Sequence, residues 1–281
     1  FKLLVYNKRK LFIILNKKSA DKIVSKFYKN LGWSEKNNIT EDAKRWEDLR
    51  ACSVDYVKKC RLRLMPYIPR KGENILDMAS GPIQYKEYLE YSSNFKKRYC
   101  VDFSIKALNK ARSKIGEHGV FLPGNFFDIE FENNFFDCSI SLHTIYHISK
   151  DKQEEAVRKL LKSTKKGRPI IIVYSNPNSI ISYLLSPYKF LKKILKKIKI
   201  INQREDLYFY CFPNKWWYRF SDEAKIEIKP WRSFNSNHQK MIFPNNKIGR
   251  YMLNILFRLE TKFPNFFVKY FQYPMIILTK K

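Results

Sequence analysis

Short apolar segments alternate with longer amphipathic ones between residues 74 and 174, and this alternation restricts the fold more than any other feature. Five segments are predicted as strands, at residues 75–78, 99–101, 120–122, 136–142 and 170–174. Their length is typical of buried strands. Several of the segments between them have apolar residues at helical spacing. Because parallel strands need crossover connections, which are usually helical, we predict a mostly parallel sheet with helices on both faces. An all-β or all-α fold is excluded.

The segment 73–83, ENILDMASGPI, places a tight turn of small residues directly after the first predicted strand. In open α/β sheets such a turn binds nucleotide-like ligands, because backbone N–H groups can approach the ligand closely. The second strand ends in Asp102, about 20 residues after Gly81, where a ribose needs a carboxylate acceptor. We therefore expect Asp77 and Asp102 to flank a crevice that binds a nucleoside. The alternative interpretation is two ordinary turn residues at strand ends.

The composition adds a large excess of positive charge to a chain that is long enough to bury a full core. The 281 residues include 55 Lys and Arg against 26 Asp and Glu, a net charge of +29. This charge favours contact with polyanions unless the lysines simply cover solvated faces. The five cysteines show neither a CxxC pair nor a zinc-type Cys/His spacing, so we predict reduced thiols and no metal site. No apolar run reaches the roughly 18 residues of a membrane span and no signal peptide is visible, which predicts a cytoplasmic protein.

Five ordered segments resemble the motifs of the class I S-adenosylmethionine-dependent methyltransferases. They are ILDMASGP, YCVDFS, PGNFFDIEF, NNFFDCSISLHTIYHI and KKGRPIIIVY, and they cover residues 70–174. The resemblance implies a Rossmann-like sheet of seven mostly parallel strands whose last strand is antiparallel, with helical insertions after strands five and six. The last two strands would be 224–229 and 275–279. The implied cofactor is S-adenosylmethionine, lying across the carboxyl ends of the first strands.

The resemblance assigns the turn after the first strand to the methionine part of the cofactor. Asp77, Ala79, Ser80 and Gly81 would shape this loop. Many relatives have glycine at three positions of the loop, whereas this chain has Ala79, Gly81 and Ile83. The two replacements predict either a different backbone path or a path fixed by the neighbouring proline.

The resemblance assigns the nucleoside and the sulfonium to residues that follow the next three strands. Asp102 would hold both ribose hydroxyls, with Phe103 beside the adenine. Asn125 and Phe126 would contact the adenine amine and its ring face. An asparagine at this position can accept from the amine and can also donate to a ring nitrogen. Leu142 and His143 would lie beneath the sulfonium and its methyl group.

Histidines are the candidates for the base that takes the acceptor's proton. Neutral imidazole suits this task near pH 7, and His143 and His147 follow the fourth strand on the sheet edge that faces the crevice. His238, in the late segment RSFNSNHQK, is the competitor. The alternative interpretations are a packing residue under the cofactor for His143 and a backbone-bonding residue at a helix entry for His147.

The rest of the chain is predicted to select the acceptor. Residues 1–69 are predicted as an N-terminal arm and helical cap, and residues 70–281 as the methyltransferase domain with insertions at about 178–213 and 231–273. Within the cap we predict one long helix over residues 40–65 that packs Trp46 and Tyr56 in the core. The alternative is that this helix covers the crevice as a lid.

Two further helices are predicted within the insertions. Residues 187–200 form a basic amphipathic pattern, which suits either an anionic membrane surface or an outer helix with a solvated lysine face. A second helix, over residues 247–262, is predicted to turn its most apolar side inward. That side consists of Ile248, Met252, Ile255, Leu256 and Leu259.

The sequence therefore predicts a biosynthetic S-adenosylmethionine-dependent methyltransferase, cytoplasmic or peripheral at the membrane, that acts on a hydroxyl of a small molecule, glycan or lipid-linked intermediate. Oxygen methylation is preferred over nitrogen methylation. Nucleic acid is the less favoured acceptor, because residues 175–178 read SNPN in place of an Asn-Pro-Pro-aromatic motif and we see no RNA-binding module. A third interpretation is a non-catalytic binding protein with the same fold, which the single loop glycine suggests.

Overall fold

The computed structural model describes residues 22–37, 39–180, 184 and 207–281. The predicted N-terminal arm over the first 15 residues and the basic amphipathic segment 187–200 lie outside the described residues. Within the described part of the chain, no helix is both long enough and apolar enough to cross a membrane.

The N-terminal cap consists of short elements. A π-helical turn at Tyr28–Gly32 precedes a small antiparallel pair, β1 (Glu35–Lys36) with β2 (Ile39–Thr40). Helix α1 (Glu41–Trp46) follows, and the Thr40 hydroxyl caps it by accepting from the Ala43 N–H at 3.1 Å. Helix α2 (Val54–Arg61) and a 3₁₀ turn at Leu62–Tyr67 complete the cap.

The prediction of one long helix over residues 40–65 is wrong, because the chain leaves the helical path between α1 and α2. Glu47 has an extended backbone, with φ −109° and ψ 149°. The Asp48 carboxylate accepts from the Ser53 hydroxyl at 2.5 Å and from the Arg50 side chain at 2.8 Å. Such local bonds compete with helical bonding. Trp46, predicted in the core, is 50% exposed, whereas Tyr56 is buried as predicted.

A seven-stranded sheet forms the centre of the molecule. Its strands are β3 (Gly72–Met78), β4 (Phe95–Asp102), β5 (Gly119–Pro123), β6 (Cys138–Leu142), β7 (Pro169–Val173), β8 (Ala224–Arg232) and β9 (Tyr273–Lys280). They are ordered β5-β4-β3-β6-β7-β9-β8, and β9 runs antiparallel to both its neighbours while the other pairs are parallel. The predicted sheet is confirmed. All five residues of the central strand β7 are buried, because helices cover both faces of such a sheet.

Helices α3 (Glu87–Glu90), α4 (Ile105–Ile115) and α5 (Gln153–Ser163) connect the parallel strands. The Ser104 hydroxyl caps α4 by accepting from the Ala107 N–H at 3.3 Å. Helix α4 starts three residues after Asp102, so the carboxyl end of β4 and the amino end of a helix lie together.

The late insertion contains α6 (Ser236–Ile242), α7 (Lys247–Lys262) and α8 (Pro264–Tyr270). Helix α7 has the predicted bounds, but most of its predicted inward face is wrong. The buried side is formed by Gly249, Leu253, Leu256 and Glu260. By contrast, Ile248, Met252, Ile255 and Leu259 are 63%, 37%, 38% and 40% exposed.

Close backbone packing and buried hydrogen bonds set this orientation of α7. A Cβ on Gly249 would lie 1.8 Å from the Pro244 carbonyl oxygen, so only glycine allows the contact. Near the other end of the helix, Glu260 accepts from Tyr56 at 2.7 Å and from Arg63 at 2.9 Å. Neither interaction can be predicted from the spacing of apolar residues.

Candidate active site

Two adjoining cavities lie at the carboxyl ends of β3, β4 and β6. The larger has a volume of about 490 Å³ and the smaller a volume of about 60 Å³. Ala79, Asp102, Phe103 and His147 line both. Since parallel strands end at the same sheet edge, the two acidic strand ends come together, and Asp77 also lines the larger cavity. The predicted crevice between the two carboxylates is therefore present.

The turn after β3 keeps a left-handed backbone at all three positions where many relatives have glycine. The φ angles are 59° at Ala79, 56° at Gly81 and 48° at Ile83. Ile83 is only 1% exposed, so its packing offsets the cost of the left-handed conformation. Lys114 also fixes the turn by donating to the carbonyls of Pro82 and Ile83 at 2.9 and 2.8 Å.

Gly81 approaches both the cap and β4. A Cβ at this position would lie 2.8 Å from the Trp33 ring. Its N–H donates to Asp102 Oδ2 at 2.9 Å, and the neighbouring Ser80 N–H donates to the Val101 carbonyl at 3.0 Å. Gly81 thus contributes through its backbone and does not line either cavity, whereas Ser80 lines the larger one.

Asp77 forms a buried ion pair beneath the turn. Its Oδ2 accepts from Arg98 Nη2 at 2.5 Å and from Nε at 3.1 Å. Arg98 is 1% exposed and also donates to the Tyr88 carbonyl. Asp77 therefore lies beneath the loop with one carboxylate oxygen already bound by a guanidinium.

Asp102 lies between the turn and α4. Its Oδ1 accepts from the Ser104 N–H at 2.8 Å, and its Oδ2 accepts from Gly81. Burial raises the pKa of Asp102 to about 6, and the two backbone hydrogen bonds oppose this shift. Each carboxylate oxygen has further lone pairs, so the group can accept from two vicinal hydroxyls, as a ribose offers.

The smaller cavity collects the residues that the sequence assigns to the adenine. Phe103, Asn125 and Phe126 all line it. The Asn125 Oδ1 accepts from the Phe127 N–H at 3.1 Å, which fixes the side-chain amide next to the cavity. Phe126 is 5% exposed, and Lys159 Nζ lies 5.3 Å from its ring centroid. The arrangement suits a flat aromatic ring with an exocyclic amine.

Leu142 and His143 line the larger cavity at the end of β6, where the resemblance places the sulfonium. His143 has a left-handed backbone, with φ 57°. Its Nδ1 lies 2.9 Å from the Tyr146 hydroxyl oxygen, and its ring packs edge-on at 4.5 Å from Trp231 and 5.1 Å from Tyr273. Burial and the nearby Arg232 hold the pKa of His143 well below its usual value.

His147 is neutral, and its tautomer is set by the backbone. Its Nδ1–H donates to the Tyr208 carbonyl at 2.7 Å, which leaves the lone pair on Nε2. Burial lowers the pKa of His147 to about 4. The imidazole can therefore accept a proton at Nε2 while it keeps the backbone bond, so the two interpretations of this residue are compatible.

His238, the competing base, is in the wrong place. It is 7% exposed on α6 and does not line either cavity, whereas its neighbours Asn235, Ser236 and Asn237 line the larger one. The Asn235 side chain caps α6 by accepting from the His238 N–H at 2.9 Å, and this cap fixes the orientation of the first turn. We therefore remove His238 from the candidate bases.

Sequence reasoning missed most of the wall opposite the strand ends. Seven aromatic residues line the larger cavity there. Five come from the two ends of the chain and two from the segment between β3 and β4: Tyr28, Trp33, Trp46, Trp231 and Tyr273, with Tyr85 and Tyr88. A buried ion-pair network joins this wall to the sheet. Glu47 accepts from Arg232 at 2.5 Å and from Arg61 at 2.9 Å, and all three residues are buried. Since Glu47 and Arg232 are 185 residues apart, no local pattern reveals the pair.

Asp42 is a second titratable group in this wall that the sequence did not single out. It lines the larger cavity, and its Oδ1 accepts from the Tyr28 hydroxyl at 3.2 Å. Burial raises the pKa of Asp42 to about 7. Among the described residues, no cluster of three or more His, Cys, Asp or Glu side chains is arranged to hold a metal ion.

Comparison with known proteins gives a consistent result. A family model described as a methyltransferase domain matches residues 76–172. Geranyl diphosphate C-methyltransferase from Streptomyces coelicolor A3(2) is 12% identical with a TM-score of 0.54, and the match covers 94% of this chain and 98% of that chain. A SAM-dependent methyltransferase from Archaeoglobus fulgidus is 13% identical with a TM-score of 0.51, covering 80% and 94%. A search of curated proteins finds no match.

The two structures establish the fold, and the matched domain contains the turn after β3, Asp102 and the end of β6. The donor half of the site fits S-adenosylmethionine, since it combines a left-handed turn, a carboxylate for the ribose and a small aromatic cavity for the base. The chain thus contains a methyltransferase domain over residues 76–172, and its fold is that of S-adenosylmethionine-dependent methyltransferases.

Proposed function

We propose that the protein methylates a hydroxyl oxygen of a small-molecule or glycan acceptor. One observation carries this proposal. His147, whose Nε2 keeps a lone pair, lines both the smaller cavity, which we assign to the adenine, and the larger cavity, which the aromatic wall borders. A cavity of about 490 Å³ is of the size that small ligands occupy in proteins, and its aromatic and polar lining suits a ring with hydroxyl groups.

The donor is held by groups that are already oriented before it binds. Asp102 would accept from the ribose hydroxyls, the Asn125 and Phe126 side chains would contact the adenine, and the turn at Ala79 and Ser80 would hold the methionine part. S-adenosylmethionine supplies the methyl group on a sulfonium with a good leaving group, so holding an acceptor oxygen close to it and in line provides much of the rate.

The protein's chemical task is then to remove the acceptor proton. In our proposal His147 Nε2 would take the hydroxyl proton while the oxygen accepts the methyl group, and the methyl–sulfur bond of the donor would break to leave S-adenosylhomocysteine. The imidazolium that forms keeps its Nδ1–H bond to the Tyr208 carbonyl, which stabilises the new positive charge. His143 packs against Trp231 and shapes the floor of the cavity.

The test is turnover of hydroxylated acceptors with an isotope-labelled methyl donor, measured across pH. A base must be deprotonated, so kcat falls as the pH drops through its pKa. With His147 as the base, kcat stays level through neutral pH and falls near pH 4. We expect His147→Gln to lower kcat at least about 100-fold with the Kd for S-adenosylhomocysteine nearly unchanged, and the control His118→Gln, outside both cavities, to behave as wild type.

Two outcomes contradict the assignment of His147. A fall in kcat already near pH 7, together with lost turnover in Asp42→Asn, assigns the proton to Asp42. Full turnover in His147→Gln means that His147 is not the base.

We also propose that residues 187–200 contact anionic lipid and that the protein is cytoplasmic and peripheral at the membrane. The motivation is the basic amphipathic pattern of that segment.

A further inference from the structure

Helix α7 carries a continuous apolar stripe on its outer side. Residues 248, 252, 255 and 259 follow the i, i+4, i+7, i+11 spacing of one helix face. The stripe consists of Ile248, Tyr251, Met252, Ile255 and Leu259 on α7, with Phe263 and Phe266 beyond its end, and these side chains are 37% to 67% exposed. Single exposed apolar residues are normal, but a contiguous group of seven marks an interaction surface.

The exposed charges of α7 itself all have one sign. Lys247, Arg250, Arg258 and Lys262 are exposed on the same helix. Glu260 is the only acidic residue after Glu227, and it is fully buried against Arg63. The outer side of α7 therefore presents apolar and cationic groups without a compensating carboxylate of its own.

We propose that the outer stripe docks on the surface of a bilayer that contains anionic lipid. An apolar face flanked by Lys and Arg is the arrangement of an interfacial helix, whose apolar side enters the headgroup boundary while its cations contact acidic headgroups. A second copy of the chain would bring two equally basic faces together and pay for their repulsion. A nucleic acid would satisfy the cations but leave the apolar stripe without a complementary surface.

The proposed docking of the outer stripe does not depend on residues 187–200 or on methyl transfer. It lies on a described helix whose buried side is fixed by Gly249 and Glu260, so the stripe is not the face that packs the fold. Replacing its exposed side chains should leave the core intact.

The experiment is flotation of the full chain with two kinds of vesicle, phosphatidylcholine alone and phosphatidylcholine with one third phosphatidylserine. We expect the wild type to float with the acidic vesicles. The variant Ile248→Gln/Ile255→Gln/Leu259→Gln should lower the partition coefficient at least about tenfold, because it removes apolar burial without changing charge. Ile105→Gln is the matched control, since Ile105 on α4 is also 63% exposed, and it should bind as wild type.

A second variant tests the cationic flank. Lys247→Gln/Arg258→Gln/Lys262→Gln keeps the stripe and should remove most of the preference for acidic vesicles. An unchanged Kd for S-adenosylhomocysteine in both variants shows that the fold is retained. The proposal is overturned if the wild type does not float, if the stripe variant floats as well as the wild type, or if sedimentation shows a wild-type dimer that the stripe variant dissociates.

Discussion

Two residues after β3 adopt a backbone conformation that usually requires glycine. Ala79 and Ile83 both have positive φ, with Gly81 between them. This conformation costs an L-residue roughly 1–2 kcal/mol. The buried side chain of Ile83 compensates for that cost, whereas Ala79 is exposed and does not. The strain at Ala79 is therefore stored in a loop residue that lines both cavities.

Substituting Ala79 by glycine should release this strain. The gain of roughly 1–2 kcal/mol is reduced by the roughly 0.4–1 kcal/mol that glycine adds to the unfolded entropy. We expect Ala79→Gly to unfold at an equal or slightly higher urea concentration than the wild type. The control Ala107→Gly, in the buried face of α4, should lose about 1 kcal/mol or more. Clear destabilisation by Ala79→Gly would show that its methyl group makes a contact that matters.

The raised pKa of Asp102 predicts a pH dependence of cofactor binding. In the proposed role of Asp102, ribose hydroxyls donate to its carboxylate, so the deprotonated form is the binding form, and it is lost as the pH falls through about 6. Calorimetry with S-adenosylhomocysteine should show level affinity above pH 7 and a steady loss below pH 6. Asp102→Asn should weaken binding by about 2 kcal/mol, roughly 30-fold, and should abolish most of this pH dependence. Identical pH profiles for the variant and the wild type would contradict the assigned role.

Helix α7 shows how a buried acid overrides apolar periodicity at the level of an element. The helix has a strongly apolar side, but Glu260 turns a different side inward, where it joins α2 to β8. Its Oε1 accepts from the Tyr56 hydroxyl at 2.7 Å and from the Ser233 N–H at 3.0 Å, and its Oε2 accepts from Arg63. The hydrogen bonds of this carboxylate thus fix the orientation of α7 within the late insertion.

Removing this carboxylate should destabilise the protein strongly. Glu260→Ala leaves the Arg63 guanidinium without its ion-pair partner in a mostly buried setting, so we expect a loss of about 3–5 kcal/mol in the free energy of unfolding. Glu154→Ala is the control, because Glu154 pairs with Arg158 and Arg219 at an exposed site, and its loss should cost less than about 1 kcal/mol. Urea denaturation measures both. Equal losses of unfolding free energy in the two variants would mean that Glu260 does not hold α7 in its orientation.

For the whole molecule, the sequence predicts the donor half and not the acceptor half. The strands that hold Asp77 and Asp102 are short apolar runs closed by a polar residue, so each can be found locally. The wall formed by Trp46 and Trp231 depends on contacts between the two ends of the chain, and the break after α1 depends on carboxylates that bind arginines. Periodicity finds elements whose packing is apolar and fails where charged pairs decide the orientation.

The buried pair of Glu47 and Arg232 has a consequence for how selectivity can change. Residues before β3 and after β7 supply most of the aromatic wall, while the strands between them supply the donor pocket. Substitutions in either flank can alter which molecule is admitted without disturbing the machinery that delivers the methyl group. Within this chain, the aromatic residues of the two flanks can therefore change while the ion pair of Glu47 and Arg232 still holds the flanks together.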